Sequence, residues 1–313
     1  MDDKNEDLCQ FCFDKVTFRC LSCKIRLCRN CVSVHIKMKP RDSHKIVVAN
    51  EKSQVKTKQL KVLGKISSGM ESLCDISYNE NGTFYSCSEI SKSISLLDDS
   101  GLTRDTFEGC KNPLCLTASS NGVLYTEFGI KAVMFNSKGR TKHLFSTGDW
   151  QPQGITMSKS GNILLTLRRK NESKLIVSNP HGYVCREIQY HNNKPLFFDP
   201  WYVAENIKGD ICVSDQARRA LICIKTNGEL IFKYYGRGSS FYPRGLCADA
   251  TSHFIAADPW NNLLHYISSC GELVYYLKYD SMDSPMGLSC NYDRKNSFLI
   301  CEVSGSIYHV ELE

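Results

Sequence analysis

From residue 61 onward the chain repeats itself with a period of roughly 40–48 residues. One set of turn signals is Asn81-Gly82, Asn121-Gly122, Ser160-Gly161 and Lys208-Gly209; a second is Gly101, Gly139, Gly182, Gly228 and Gly271. Glycine behind Asn or another polar residue marks a tight hairpin. After the first-set turns come the β-rich runs "TFYSCSE", "VLYTEFG", "NILLTLR" and "DICVSDQ", with later equivalents "FIAADPW" and "FLICEVS". A further strand follows each, such as "SISLLDD" or "ALICIKT", and a third follows each second-set glycine, as in "LIFKYY". Runs such as "PLCLTAS", "PQGITMS", "PRGLCAD" and "PMGLSCN" open the units. Four short strands per unit is the pattern of a propeller blade.

Six opening strands imply six blades. The last unit, 285–313, has only three strands, and "KVLGKIS" at 61–67 is available as the fourth. Pairing the first strand onto the last blade would close the ring and remove its open edges. The expected fold class is therefore mainly β: a small N-terminal finger, then a six-bladed β-propeller closed by an N-terminal strand. The expected domains are a zinc finger at 1–47, a basic linker at 48–60 and the propeller at 61–313.

The finger is read from Cys9-x2-Cys12-x7-Cys20-x2-Cys23-x4-Cys28-x2-Cys31-x3-His35-x8-His44. Eight Cys and His ligands make two tetrahedral zinc sites with no open position, which is the structural rather than the catalytic arrangement. So small a block buries little apolar surface, and metal binding has to supply much of its folding free energy. The other eleven cysteines, scattered from Cys74 to Cys301, sit mostly in apolar strand-like runs, where free cysteine behaves as a small buried hydrophobe.

The ligand spacing over 9–44 resembles a B-box zinc finger of the tripartite-motif family. That resemblance implies two structural zinc ions in a cross-brace: Cys9, Cys12, Cys28 and Cys31 on one, and Cys20, Cys23, His35 and His44 on the other. Many B-boxes carry histidine as the second ligand, where this chain has Cys12. The repeats resemble NHL repeats, best in "GDICVSDQARRALICIKTNGEL" at 209–230, where the family's Asp–Arg pair would be Asp215 and Arg219. A B-box followed by an NHL-type propeller resembles the TRIM-NHL proteins, here without RING or coiled coil. The stretch at 45–60 has no room for the three or four apolar heptads of a dimerising coiled coil, so a monomer is expected.

Charge is uneven. Residues 1–60 hold 13 Lys+Arg against 7 Asp+Glu, and residues 61–313 hold 26 of each. Any basic surface on the propeller must therefore be local. The loops expected on one face bring together Arg168, Arg169, Lys170, Arg218, Arg219, Tyr242, Arg244 and Trp260, with Trp150, Trp201 and Arg237 at blade junctions and Glu172, Asp215 and Asp258 as opposing acids. Basic and aromatic groups on one face suit a protein or peptide partner; they also suit single-stranded RNA, whose bases stack and whose phosphates need cations. Two functions stay open: a zinc-binding adaptor that recruits protein partners, in ubiquitin-ligase pathways, and an RNA-binding post-transcriptional regulator. Six-bladed propellers also house lactonases and lyases, whose metal ligands converge on the central channel. The six propeller histidines show no repeat-phased placement, and no nucleophile motif or phosphate-binding loop is visible, so no catalysis is expected. The N-terminus "MDDKNEDL" lacks a basic and an apolar region, and no apolar run reaches spanning length. A cytoplasmic protein without a membrane association is expected.

Overall fold

The computed structural model describes residues 8–9, 11–12, 14, 16–20, 25–28, 30–32, 35, 46–48, 55–79, 81–108, 110–236, 241–290 and 296–312. Six antiparallel sheets follow one another in sequence, each laid down from the ring axis outward. In the order of the chain their inner strands are Leu73–Tyr78, Pro113–Ser119, Gln151–Met157, Pro200–Glu205, Leu246–Ala248 and Pro285–Cys290. The protein is thus a six-bladed β-propeller with a small finger at its N-terminus. Among the described residues helix is confined to the finger, at 30–32 and 35. None of these helical pieces is long and apolar enough to cross a membrane.

The ring closes as the sequence implies. Lys61–Ser67 is the outermost strand of blade 6, antiparallel to Ser306–Glu311 with Ile307 opposite Ile66 and Glu311 opposite Lys61. The residues just before it depart from the expected linker. Thr57–Gln59 forms a strand that lies parallel to Leu273–Lys278 and makes blade 5 five-stranded. The physical reason is the open edge of that blade: a segment passing it on the way to residue 61 satisfies its own amides there. The finger also runs past its expected boundary at 47, because Ile46–Val48 pairs with Phe18–Cys20, which pairs in turn with Ile25–Leu27. A two-residue hairpin, Tyr190–His191 with Lys194–Pro195, is inserted between blades 3 and 4.

Burial explains the strand chemistry. In blade 4 both middle strands, Ile211–Asp215 and Ala220–Ile224, are buried along their whole length, since each face packs on a neighbouring blade. They therefore read as near-continuous small and apolar runs, ICV at 211–213 and ALICI at 220–224, rather than as alternating strands. Of the scattered cysteines, seven are buried, Cys212 and Cys223 in these two strands among them; Cys185 on the outer strand of blade 3 is exposed. Between blades the contacts are large and aromatic, as where Phe232 meets Phe254 edge to face at 6.5 Å.

The opening Pro-x-Gly units have a steric cause. At Gly245 a Cβ would lie 2.1 Å from the Met286 carbonyl oxygen of blade 6, and at Gly154 it would lie 2.0 Å from the Trp201 carbonyl oxygen of blade 4. Only glycine lets adjacent inner strands approach this closely, and the Gly245 amide uses the approach to donate to Met286 O at 2.8 Å. Further bonds stitch the inner ring: Leu116 N to Asp75 Oδ2 at 3.0 Å, Met157 N to Thr117 Oγ1 at 3.2 Å and Tyr78 N to Ser289 Oγ at 3.0 Å. Tyr202 reaches across the axis from blade 4 and donates to the Cys74 carbonyl of blade 1 at 2.7 Å. Beyond that crossbar the inner strands of all six blades line an open cavity of about 400 Å³.

Candidate functional site

The start of each inner strand pairs with the end of the next strand out: Pro113 with Glu127, Gln151 with Arg168, Pro200 with Asp215, Pro285 with Glu302. The turns after the second strands and the connections between blades therefore share one face of the ring. On that face a polar residue stands at or beside the end of each second strand, namely Ser88, Glu127, Arg168, Asp215, Asp258 and Glu302. Most of them fasten loops. Asp215 accepts the amides of Phe198 at 2.6 Å, Asp199 at 3.2 Å and Arg218 at 3.0 Å. Glu302 accepts the Tyr279 hydroxyl at 2.5 Å and the Asp283 amide at 2.8 Å. Asp258 takes the Asn261 side-chain amide at 2.7 Å and faces His265 Nε2 at 3.2 Å.

This corrects the expectation that Asp215 and Asp258 oppose an anion on the surface. Both are fully buried. Burial raises the Asp215 carboxyl against the three amides that favour its charge. Burial likewise lowers His265, with Asp258 pulling the other way, and the ring bridges Asp258 and the Tyr234 hydroxyl, the latter at 2.6 Å. The residue that approaches Asp215 is Arg218, at 4.0 Å, while Arg219, expected in that role, is an exposed turn residue with φ 51°.

The cations of the face divide into two kinds. Arg168 pairs with Asp199 at 2.7 Å and Arg169 with Glu172 at 2.7 Å. Arg169 also lies over the Trp150 ring at 4.6 Å, and Lys174 shares that ring at 4.4 Å. Arg218 donates to Pro195 O at 2.8 Å and lies over Phe198 at 4.1 Å. Lys170, like Arg219, is an exposed turn residue with positive φ.

Arg244 differs from all of these. It is half-buried, with its guanidinium 5.4 Å from the Trp201 ring and 5.3 Å from the Tyr242 ring. Tyr242 is in turn stacked on Trp260 at 5.0 Å and 18°, and Trp260 is 65% exposed. Tyr242 Oη donates to Gln216 Oε1 at 3.3 Å. The Arg244 backbone is fixed at both ends, its amide on Ala257 O at 2.9 Å and its carbonyl under Ser214 Oγ at 2.7 Å. Of the expected face residues, the structure thus gathers Tyr242, Arg244 and Trp260 into one stack with Trp201. Arg168, Arg169 and Arg218 are drawn into separate pairs, and Arg237 lies outside the described residues. Phe198 and Gln216 belong to the face but had no signal in the sequence, since an Phe and a Gln in loops look like any others.

In the finger, the Sγ atoms of Cys9, Cys12, Cys28 and Cys31 all lie within 4.8 Å of one another. Cys12 Sγ is 3.5 Å from Cys28 Sγ and 3.4 Å from Cys31 Sγ. Four thiolates on a tetrahedral zinc at about 2.3 Å stand about 3.8 Å apart, so the donor set and its spacing fit that ion. These four are the set expected for one zinc. Of the second set, Cys20 and His35 are buried, while Cys23 and His44 lie outside the described residues. The finger touches the propeller at blade 4, where the Tyr235 hydroxyl donates to Asp14 at 3.3 Å and Leu8 joins the apolar core of blades 2–5.

Residues 8–46 match the family model of the ANCHR-like B-box zinc-binding domain. The chain carries a zinc-binding B-box and a six-bladed propeller. No curated protein matches the sequence. Solved structures share the fold: virginiamycin B lyase from Staphylococcus aureus is 15% identical over 81% of this chain and 100% of its own, with a TM-score of 0.59. A gluconolactonase from Xanthomonas campestris is 10% identical over 83% and 96%, with a TM-score of 0.64. A chain of a nidogen/laminin complex is 13% identical over 70% and 84%, with a TM-score of 0.57. At such identities the likeness is one of fold alone.

Proposed function

We propose that this chain is a zinc-stabilised interaction scaffold of the TRIM-NHL type, a monomeric cytoplasmic adaptor that recruits protein partners, with no catalytic activity of its own. The observation that carries the reading is the stack Trp201–Arg244–Tyr242–Trp260, a rigid cationic and aromatic surface on the loop face. Aromatic rings and arginine are the side chains that concentrate binding energy at protein interfaces. Two closed zinc sites, the second completed by Cys23 and His44, would make the B-box a second rigid docking module. Ubiquitin-ligase pathways suit such an adaptor, with the RING supplied by its partner.

A further observation supports this reading. A polyanion is gripped by several free cations, whereas Arg168 and Arg169 already hold carboxylates of their own. That favours protein over RNA.

The test compares proteins captured from nuclease-treated extract by the wild-type chain and by a Tyr242→Ala/Trp260→Ala variant. Partners lost selectively in the variant support the reading. Fluorescence anisotropy against a random single-stranded RNA pool runs beside it; tight binding that falls steeply with salt would transfer the function to RNA.

A further inference from the structure

We infer that Arg244 is the receptor for a carboxylate: the partner segment that docks on this face presents an Asp or Glu side chain to the guanidinium and an apolar or aromatic neighbour to Trp260. The inference rests on the scaffold reading above and names the chemistry of the partner.

The argument begins with what Arg244 lacks. Among the described residues it forms no ion pair and donates no side-chain hydrogen bond, and its Nε is enclosed with no acceptor. Lys170 and Arg219 also stand without a carboxylate, but they are exposed at turn tips, where water solvates them fully. Arg244 is partly withdrawn from water between two rings. A charge so placed has lost hydration without gaining a counter-charge, and that deficit is what an incoming anion relieves.

The groups around it point to the same kind of ligand. Trp201 Nε1 and Gln216 Nε2 are enclosed without acceptors, and Gln216 is only 8% exposed. Like Arg244 Nε, these two groups are donors. An ionised carboxylate is acceptor-only, and it matches the planar fork of a guanidinium with two parallel bonds. The geometry is also held in advance. Ala257 and Ser214 fix the Arg244 backbone, and the rings fix its side chain, so little conformational freedom is lost on binding. One half-buried guanidinium serves one anion, which fits a single acidic side chain and not a run of phosphates. The adjoining Tyr242–Trp260 stack, open on its outer side, gives the next side chain a flat apolar bed.

The test pans the full zinc-loaded chain against a displayed library of random twelve-residue peptides. The most enriched peptide is then synthesised with a fluorophore, both as selected and with its acid changed to the matching amide. The expected result is a fixed Asp or Glu beside an aromatic or large aliphatic residue, and at least tenfold weaker binding for the amide peptide. Arg244→Gln should weaken the acidic peptide by a similar factor and abolish the difference between the two peptides, with an unchanged circular dichroism spectrum. The peptide substitution keeps the test valid even if the protein variant folds poorly. Peptides that bind equally as acid and amide, yet are lost in Trp260→Ala, would overturn the carboxylate inference and leave the scaffold reading standing. A library that yields no binder at all would overturn both.

Discussion

The finger and the propeller solve the same problem by opposite means. The finger has strands of three residues, and its fully buried positions are led by cysteine and leucine: Cys9, Cys20, Leu27 and Cys28. It cannot gather enough apolar area, and the metal substitutes for a core. The propeller spends only about 40 residues on each blade, yet every blade uses its neighbours as core, and the two middle strands of blade 4 are buried on both faces. The lesson is that cysteine means different things in the two regions: ligand in the finger, small hydrophobe in the blades. The comparison can be broken by removing the support of each region in turn.

The largest effect is expected from the metal. Apparent binding free energies for structural zinc are about 10–16 kcal/mol at neutral pH, most of which is folding free energy. Chelation, or Cys9→Ser with Cys28→Ser, should unfold residues 8–48 and leave the blades intact. Hydrogen exchange read peptide by peptide checks this, and full exchange of the blades on chelation would refute the division. Because Leu8 and Asp14 touch the propeller, a modest rise in exchange is expected around Tyr235.

Next comes ring closure. Deleting residues 1–59 removes the finger and the short parallel strand on blade 5 but keeps Lys61–Ser67. Deleting 1–67 also opens blade 6, whose Ser306–Glu311 strand then loses its partner. The first truncation should give a cooperative urea transition; the second should aggregate or unfold several molar earlier. Equal midpoints would mean that the closing strand is dispensable. Gly245→Ala is a finer cut at the same ring. A methyl group 2.1 Å from a backbone carbonyl forces two inner strands apart, at a cost of at least about 2 kcal/mol.

Much of this was legible in the sequence for a physical reason. Hairpin turns demand glycine, and fully buried strands demand unbroken apolar runs, so blade count and the closing strand at 61–67 could be read directly. Thr57–Gln59 could not, because a parallel addition to an existing edge needs no turn and no apolar residue. The Cys9, Cys12, Cys28 and Cys31 cluster was legible because coordination fixes both residue type and spacing. The face was half legible. Loop order brings Tyr242, Arg244 and Trp260 to one face, where they stack, but a sequence cannot show that Asp215 and Asp258 turn inward to hold amides. Nor can it show that Asp199, from the connection between blades, neutralises Arg168.

Asp75 tests the inner ring by pH. Burial raises its carboxyl to about 7, although the amides of Leu116 and Ile76 and the Cys115 thiol pull it down. An acid whose folded value is raised is bound more tightly to its proton in the native state. Its contribution to stability is therefore fully present below pH 4 or so, declines as pH rises toward 7, and is absent above. Asp75→Asn should flatten the loss of stability between pH 4 and 7 in urea titrations. Parallel profiles for the wild type and the variant would show that another group carries that slope.

The smallest effect is expected where the face is already neutralised, and it separates Arg168 from Arg244. The Arg168–Asp199 pair is short, at 2.7 Å, but the arginine side chain is 45% exposed. Exposed pairs contribute about 0–1 kcal/mol, since two solvated charges gain little by meeting and lose side-chain freedom. A double-mutant cycle with Arg168→Ala and Asp199→Ala should give a coupling energy within about 1 kcal/mol, falling further in high salt. Arg168→Ala should leave the affinity for an acidic peptide nearly unchanged, because that guanidinium is occupied by its own carboxylate. If Arg168→Ala weakened peptide binding as much as Arg244→Gln, the division of the face into satisfied and unsatisfied cations would be wrong. The ligand would then be recognised by the whole basic surface rather than at one guanidinium.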